Sequence, residues 1–208
     1  MKYAIGIDIG GTNTRVALIN ENYEIKKRIQ FLTDVDDPDK TMDKIVETIS
    51  SFKLDIVGVG MSCPGPLDLI KGKILTTPNL HGKWHDCEIS KKLEEKIHIP
   101  VYLENDANLA ALAESIIGEG KAYDYVQYLT VSTGLGAGLV INKKIFIGAH
   151  GFANEVANCC MKHEGPSHGM IYPGGIEAIS SGTGIIEQAK KRGLKVEHAG
   201  QVNDLAKE

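Results

Sequence analysis

One local pattern occurs twice in this chain, and it limits the folds available more than any single motif does. Between Tyr3 and Phe31 an apolar strand (Tyr3 to Asp8) runs into a Gly10-Gly11 turn. A strand (Arg15 to Ile19), a turn at Asn20-Glu21-Asn22 and a third strand (Tyr23 to Phe31) follow. The order returns between Val126 and Ile147: strand Val126 to Val131, the small-residue turn Ser132-Thr133-Gly134-Leu135-Gly136, and strand Ala137 to Ile141. A turn at Asn142-Lys143-Lys144 and a short strand at Ile145 to Ile147 complete it. A meander with a glycine turn is common alone, whereas its recurrence predicts a duplicated architecture. Two such halves facing each other would bring two glycine loops to one cleft.

The first half continues through alternating elements. Met42, Ile45, Val46 and Ile49 fall at helical spacing, and Asp55 to Gly60 reads as a buried strand leading to the Pro64-Gly65-Pro66 loop. A helix through Ile89, Leu93 and Ile97 stops at Pro100. The strand Val101 to Glu104 and the helix Asp106 to Ile117, closed by Gly118 and Gly120, complete the half. This alternation predicts an α/β class with helices on a mixed sheet. The second half offers only a helical region from Ile176 to Arg192, stopped by Gly193, and a polar tail from Glu197 to Glu208. The expected domains are 1–118 and 119–208. The second domain is expected to be truncated, as in the N-terminal portion of a longer protein.

Composition bounds the partners. The 208 residues are 42% hydrophobic, enough for a core, and 23 Lys plus Arg against 27 Asp plus Glu give a net charge of −4. No basic surface is expected, so neither nucleic acid nor an anionic membrane is an expected partner. Four cysteines are too few for a disulfide scaffold, and no apolar run approaches a membrane span. A soluble, cytoplasmic protein is expected.

The glycine loops carry the first chemistry. Asp8-Ile9-Gly10-Gly11-Thr12-Asn13-Thr14-Arg15 puts a carboxylate at a strand end, then two glycines, then hydroxyls. Glycines let backbone N–H groups approach an anion, and Asp8 could hold a hydrated Mg²⁺. A plain hairpin fits those residues equally well. The Ser132 to Gly138 loop follows the same logic through Thr133, Gly134, Gly136 and Gly138. Neither loop is followed by the Gly-Lys-Ser/Thr of a P-loop, and the first leads into a strand rather than a helix. What remains is an actin-like phosphotransferase arrangement, with hairpin loops of two related domains on the phosphates. Glu104-Asn105-Asp106 lies at a strand-to-helix junction, where Asp106 is either a helix cap or a general base.

Taken together and in order, Asp8 to Arg15, Pro64-Gly65, Glu104 to Asn108, Ser132 to Gly138 and Ser181-Gly182-Thr183 resemble the ROK family of repressors, open reading frames and sugar kinases. The resemblance runs from Met1 to about Arg192. It implies an actin-like (ribonuclease-H-like) fold of duplicated domains around an interdomain cleft, and ATP-dependent phosphorylation of a hexose. By this resemblance Gly6, Ile7, Asp8, Ile9, Gly10, Gly11, Thr12 and Asn13 form one ATP phosphate loop. Val131, Ser132, Thr133, Gly134, Leu135, Gly136, Ala137 and Gly138 form the other. Asp106 corresponds to the catalytic base, and Asn79, Asn105, Asp106, Glu155, Asn158 and Glu177 correspond to sugar-binding positions, although Glu155 and Glu177 also read as surface charge.

The chain departs from the family in one region. Members carry a Gly-Glu-Ile-Gly-His stretch and a Cys-x-Cys-Gly-x-x-Gly-Cys-x-Glu motif that supply a structural zinc. Here Asn158 replaces the His, and His168, Met170 and Gly175 stand at the Cys positions. The family zinc site is therefore expected to be absent, leaving Cys159, Cys160, His163 and His168 as an improvised alternative. Ser181-Gly182-Thr183-Gly184 resembles the glucokinase branch, with N-acetylmannosamine or N-acetylglucosamine as alternative substrates. A homodimer is expected only by resemblance. The rival reading is a non-catalytic sugar-binding or regulatory protein. Family repressors carry a helix-turn-helix ahead of the first loop, and none is expected in the few residues before Asp8.

Overall fold

The computed structural model describes residues 1–77 and 79–207, which divide into two compact units, Met1–Leu109 and Ala110–Glu208. In the first unit, β1 (Tyr3–Ile9), β2 (Asn13–Asn20) and β3 (Ile25–Leu32) form the antiparallel meander. The chain continues through α1 (Pro38–Ser51), β4 (Ile56–Cys63) and a small hairpin of β5 (Leu67–Asp68) and β6 (Lys73–Ile74). Then come α2 (Ile89–Ile97) and β7 (Val101–Asn105). β4 pairs parallel with β1, and β7 parallel with β4, giving the order β3-β2-β1-β4-β7.

Local chemistry explains these elements. Asp37 caps α1 by accepting the Asp39 N–H at 3.1 Å, and Pro38 supplies a preset φ for the first turn. Met42, Ile45 and Ile49 form the buried stripe of α1, while Ile5, Ile7 and Ile9 alternate into the core from β1. Trp84 is fully buried, and its indole N–H is satisfied by the Asp34 carbonyl at 2.8 Å. Tyr23 adopts φ 62°, so the turn extends past Asn22 and β3 begins at Ile25 rather than Tyr23.

Helix α3 (Asp106–Ile116) carries the chain into the second unit. There β8 (Tyr125–Val131), β9 (Leu135–Ile141) and β10 (Lys144–Ile145) form an antiparallel sheet in the order β10-β9-β8. Asn142 and Lys143 both take left-handed φ values of 50° and 63°, as a two-residue hairpin turn requires. The Lys143 ammonium donates to the carbonyls of Ser115 (2.8 Å), Lys121 (2.9 Å) and Tyr123 (2.9 Å). It thereby closes the carbonyl-rich end of α3 and the short turn that follows.

The region Ile176 to Arg192 is two helices, α4 (Ile176–Ser180) and α5 (Gly182–Lys191). Ser181 is extended between them (ψ 163°), and its hydroxyl accepts the Gly184 N–H at 3.1 Å, capping α5. The tail contains a helix, α6 (Ala199–Leu205), started by Gln201 Oε1, which accepts the N–H groups of Glu197 and His198; Glu208 lies outside the described residues. Among the described residues no helix is long and apolar enough to cross a membrane.

Candidate functional site

In the first unit the parallel strands end on one edge. Register places Asp8 of β1 opposite Ser62 of β4, Ser62 opposite Glu104 of β7, and Cys63 opposite Asn105. Carboxyl ends of strands in open α/β sheets are where ligands bind, because loops and helix starts converge there. Asp8 is held from both sides: Oδ2 accepts from Arg15 at 2.7 Å and Oδ1 from the Ser62 hydroxyl at 2.8 Å. The Arg15 guanidinium also reaches Gln30 Oε1 at 3.2 Å.

The loop after Asp8 is braced. Gly10 N–H donates to the Asn13 carbonyl at 3.0 Å, while Thr33 donates its N–H to Thr12 O (3.0 Å) and its hydroxyl to Gly10 O (2.8 Å). Asn79 packs on the loop so closely that a Cβ on Gly11 would lie 2.5 Å from the Asn79 Cβ. That approach is what makes glycine necessary at 11. Thr33 does not stand out in the sequence, since it acts across 23 residues.

At the β7–α3 junction the cap is Asn105, not Asp106. Asn105 Oδ1 accepts the N–H groups of Ala107 (2.9 Å) and Asn108 (3.3 Å), and Glu104 Oε1 accepts from the Asn108 amide at 2.9 Å. Asp106 is exposed; its Oδ1 takes the Ala107 N–H at 2.8 Å, and no other hydrogen bond to its carboxylate occurs among the described residues. Cys63 lies buried beneath this edge. Burial, and secondly the charge of Asp106, push its thiol well above the usual range, with smaller contributions from Cys87 and Asp8. Asp8 and Asp106 thus both act on one buried thiol.

In the second unit the Ser132–Gly134 turn is held by backbone bonds: Ser132 N–H to Gly134 O (2.9 Å), Gly182 N–H to Ser132 O (2.8 Å) and Thr183 N–H to Thr133 O (3.1 Å). Glu177 Oε2 accepts the Leu135 N–H at 2.8 Å. A cavity of about 430 Å³ adjoins this turn, lined by Val131 to Thr133, Gly182, Thr183 and His198 among others. A cavity of about 540 Å³ in the first unit, between β7, α2 and the Leu69–Gly72 turn, contains none of the expected site residues.

Glu155 is exposed beyond Asn154, which has φ 68°. The Asn158 carboxamide is committed within its own segment: Oδ1 accepts the Tyr172 N–H at 2.8 Å and Nδ2 donates to Met170 O at 3.4 Å. It ties together two stretches that carry zinc ligands in the resembled family. The donor set does not fit that metal: among the described residues no group of three or more His, Cys, Asp or Glu could hold an ion. Cys159 and Cys160 are exposed free thiols, and Cys160 Sγ donates to Lys162 O.

A mixed five-stranded sheet with three antiparallel strands followed by two parallel ones, and a second meander with its own small-residue loop, define an actin-like (ribonuclease-H-like) α/β protein. The chain belongs to the ROK family, whose profile matches residues 4–207. It is 31% identical over 205 residues to a glucokinase of Thermotoga maritima, covering 97% of this chain and 64% of that one. A xylose repressor of Bacillus subtilis is 27% identical over 209 residues, covering 97% and 53%. The crystal structure of a ROK family glucokinase from Streptomyces griseus in complex with glucose and AMPPNP superposes with a TM-score of 0.75 at 31% identity, covering 91% and 61%. The chain spans roughly half to two thirds of the length of these relatives.

Proposed function

We propose that this chain belongs to an ATP-dependent hexose kinase acting on the sugar 6-hydroxyl, with glucose as the first substrate to test. The observation that carries the reading is the division of labour at 105–106: Asn105 caps the helix and leaves an exposed Asp106 carboxylate at the strand edge that also holds Asp8. In this reading Asp106 takes the proton of the 6-hydroxyl as that oxygen bonds to the γ-phosphorus of ATP. The bond from the γ-phosphorus to its bridging oxygen breaks, and ADP leaves. Asn105 and Asn79 hold sugar hydroxyls beside Asp106. The two small-residue loops offer backbone N–H groups to phosphate oxygens, which supplies charge stabilisation and positioning.

Each oxygen of Asp8 accepts one hydrogen bond, and a carboxylate has acceptor sites to spare, so Asp8 fits a hydrated Mg²⁺ held through water. Such an ion would neutralise phosphate charge. The glucokinase relatives support this reading; the xylose repressor supports a second one, a sugar-responsive regulator without turnover. An ADP-release assay over a panel of hexoses, including N-acetylmannosamine and N-acetylglucosamine, separates them. Turnover with any hexose supports the kinase. Hexose binding without ADP release supports the regulator.

A further inference from the structure

We propose that Glu177 is the positioning residue of the second loop, fixing its shape from beneath through the Leu135 N–H; the loop's role toward phosphate rests on the kinase reading above. Glu177 is remote in sequence from Gly134 yet its side chain is only 15% exposed, which is costly for a carboxylate unless it is well bonded. Its Oε2 takes the Leu135 N–H at 2.8 Å, and a Cβ on Gly134 would lie 2.8 Å from that same oxygen. The carboxylate therefore occupies the space a side chain at 134 would need. A side chain at 134 would have to displace the Glu177 carboxylate from the Leu135 N–H.

The backbone of Glu177 is itself anchored. Its N–H donates to Ala157 O at 3.1 Å, and the Ile176 N–H to Cys159 O at 3.0 Å. On the far side of the carboxylate lies His168, whose Nε2 is buried, has no hydrogen-bond partner among the described residues, and sits 3.8 Å from Glu177 Oε1. The imidazole lies beside Oε1, while Oε2 is the oxygen that takes the loop N–H. One consequence is specific. The Leu135 N–H, at a position expected to bind phosphate, is already consumed inside the protein. The open end of the turn, Thr133 and Gly134, is what the latch presents.

The test compares Glu177→Ala, Glu177→Asp, Glu177→Gln and Gly134→Ala, reading the Leu135 amide exchange rate by NMR and ADP and glucose binding by titration. Glu177→Ala and the shorter Glu177→Asp should each speed Leu135 exchange by about tenfold or more, as loss of this half-buried hydrogen bond implies. Glu177→Gln keeps an acceptor oxygen in reach and should restore protection to within about threefold. Gly134→Ala should displace the carboxylate and reproduce the Glu177→Ala exchange rate, with the double variant no worse than either. ADP affinity should fall in parallel with Leu135 protection. Unchanged Leu135 exchange in both Glu177→Ala and Glu177→Asp, with only glucose binding weakened, overturns the latch in favour of a direct sugar contact. A wild-type protein that binds no ADP defeats the kinase reading instead, and the exchange rates still decide the latch.

Discussion

The two units open with the same strand–loop–strand pattern and secure it by different means. In the first, β1 is central: neighbours pair with both its edges, and Ile5, Ile7 and Ile9 are buried beneath it. Its loop is braced by the side chain and N–H of Thr33 and by the packing of Asn79. In the second, β8 is an edge strand among the described residues, and its alternate residues are exposed, Leu129 and Val131 to about 60%. Its loop hangs on backbone bonds to Gly182 and Thr183 and on one carboxylate. A repeated local pattern thus fixes a hairpin, while the neighbours in three dimensions decide how rigid it is and what it presents.

The asymmetry extends to chemistry, and the largest expected effect tests it there. The proposed base lies on the first unit alone, so Asp106→Asn should lower kcat by roughly 10²–10⁴ while glucose affinity stays within a few-fold. Retained turnover removes Asp106 from the chemistry.

Next in size is a change confined to the second unit. Lys143→Met removes an ammonium from three close carbonyls and should cost about 1.5–3 kcal/mol, read as a lower unfolding midpoint. Hydrogen exchange should rise in β8 and β9 and stay unchanged in β1 to β4. Equal loss of protection in both units would mean that they do not differ as described.

The loops provide a matched pair. Gly11→Ala drives a Cβ to 2.5 Å from another Cβ, which cannot swing aside, and should destabilise by roughly 1–3 kcal/mol. Gly134→Ala meets only a carboxylate tip, so its stability cost should be smaller. Denaturant midpoints of the two variants give the order directly, and the reverse order would break the comparison.

The meander, α1, α2 and the Asp106 helix were legible in the sequence because their signals are local: alternation, a 3.6 period, Pro100 and the glycine stops. Features set by distant partners were not. Nothing near Thr33 announces its bond to Gly10, and nothing near Lys143 announces the carbonyls of Ser115 and Tyr123. The apolar spacing of Ile176 to Arg192 carries no mark of the break at Ser181, which a hydroxyl cap creates. At 105–106 both residues are good caps by type, and only the geometry assigns the cap to Asn105.

The smallest effect is chemical. At neutral pH a thiol alkylating reagent should label exposed Cys159 and Cys160 and spare Cys63, whose buried thiol is held protonated by burial and then by the charge of Asp106. Peptide mapping by mass spectrometry reads this. Prompt labelling of Cys63 in the folded protein would contradict the placement of β4's end beneath Asp106.

The central claim, that Asp106 and the two loops serve phosphoryl transfer to a hexose, is tested most directly by ³¹P NMR of the protein with ATP, Mg²⁺ and glucose. The account predicts a sugar 6-phosphate signal growing in step with ADP, and its loss in Asp106→Asn. Unchanged ATP alongside demonstrable glucose binding, or inorganic phosphate as the only product, would contradict it.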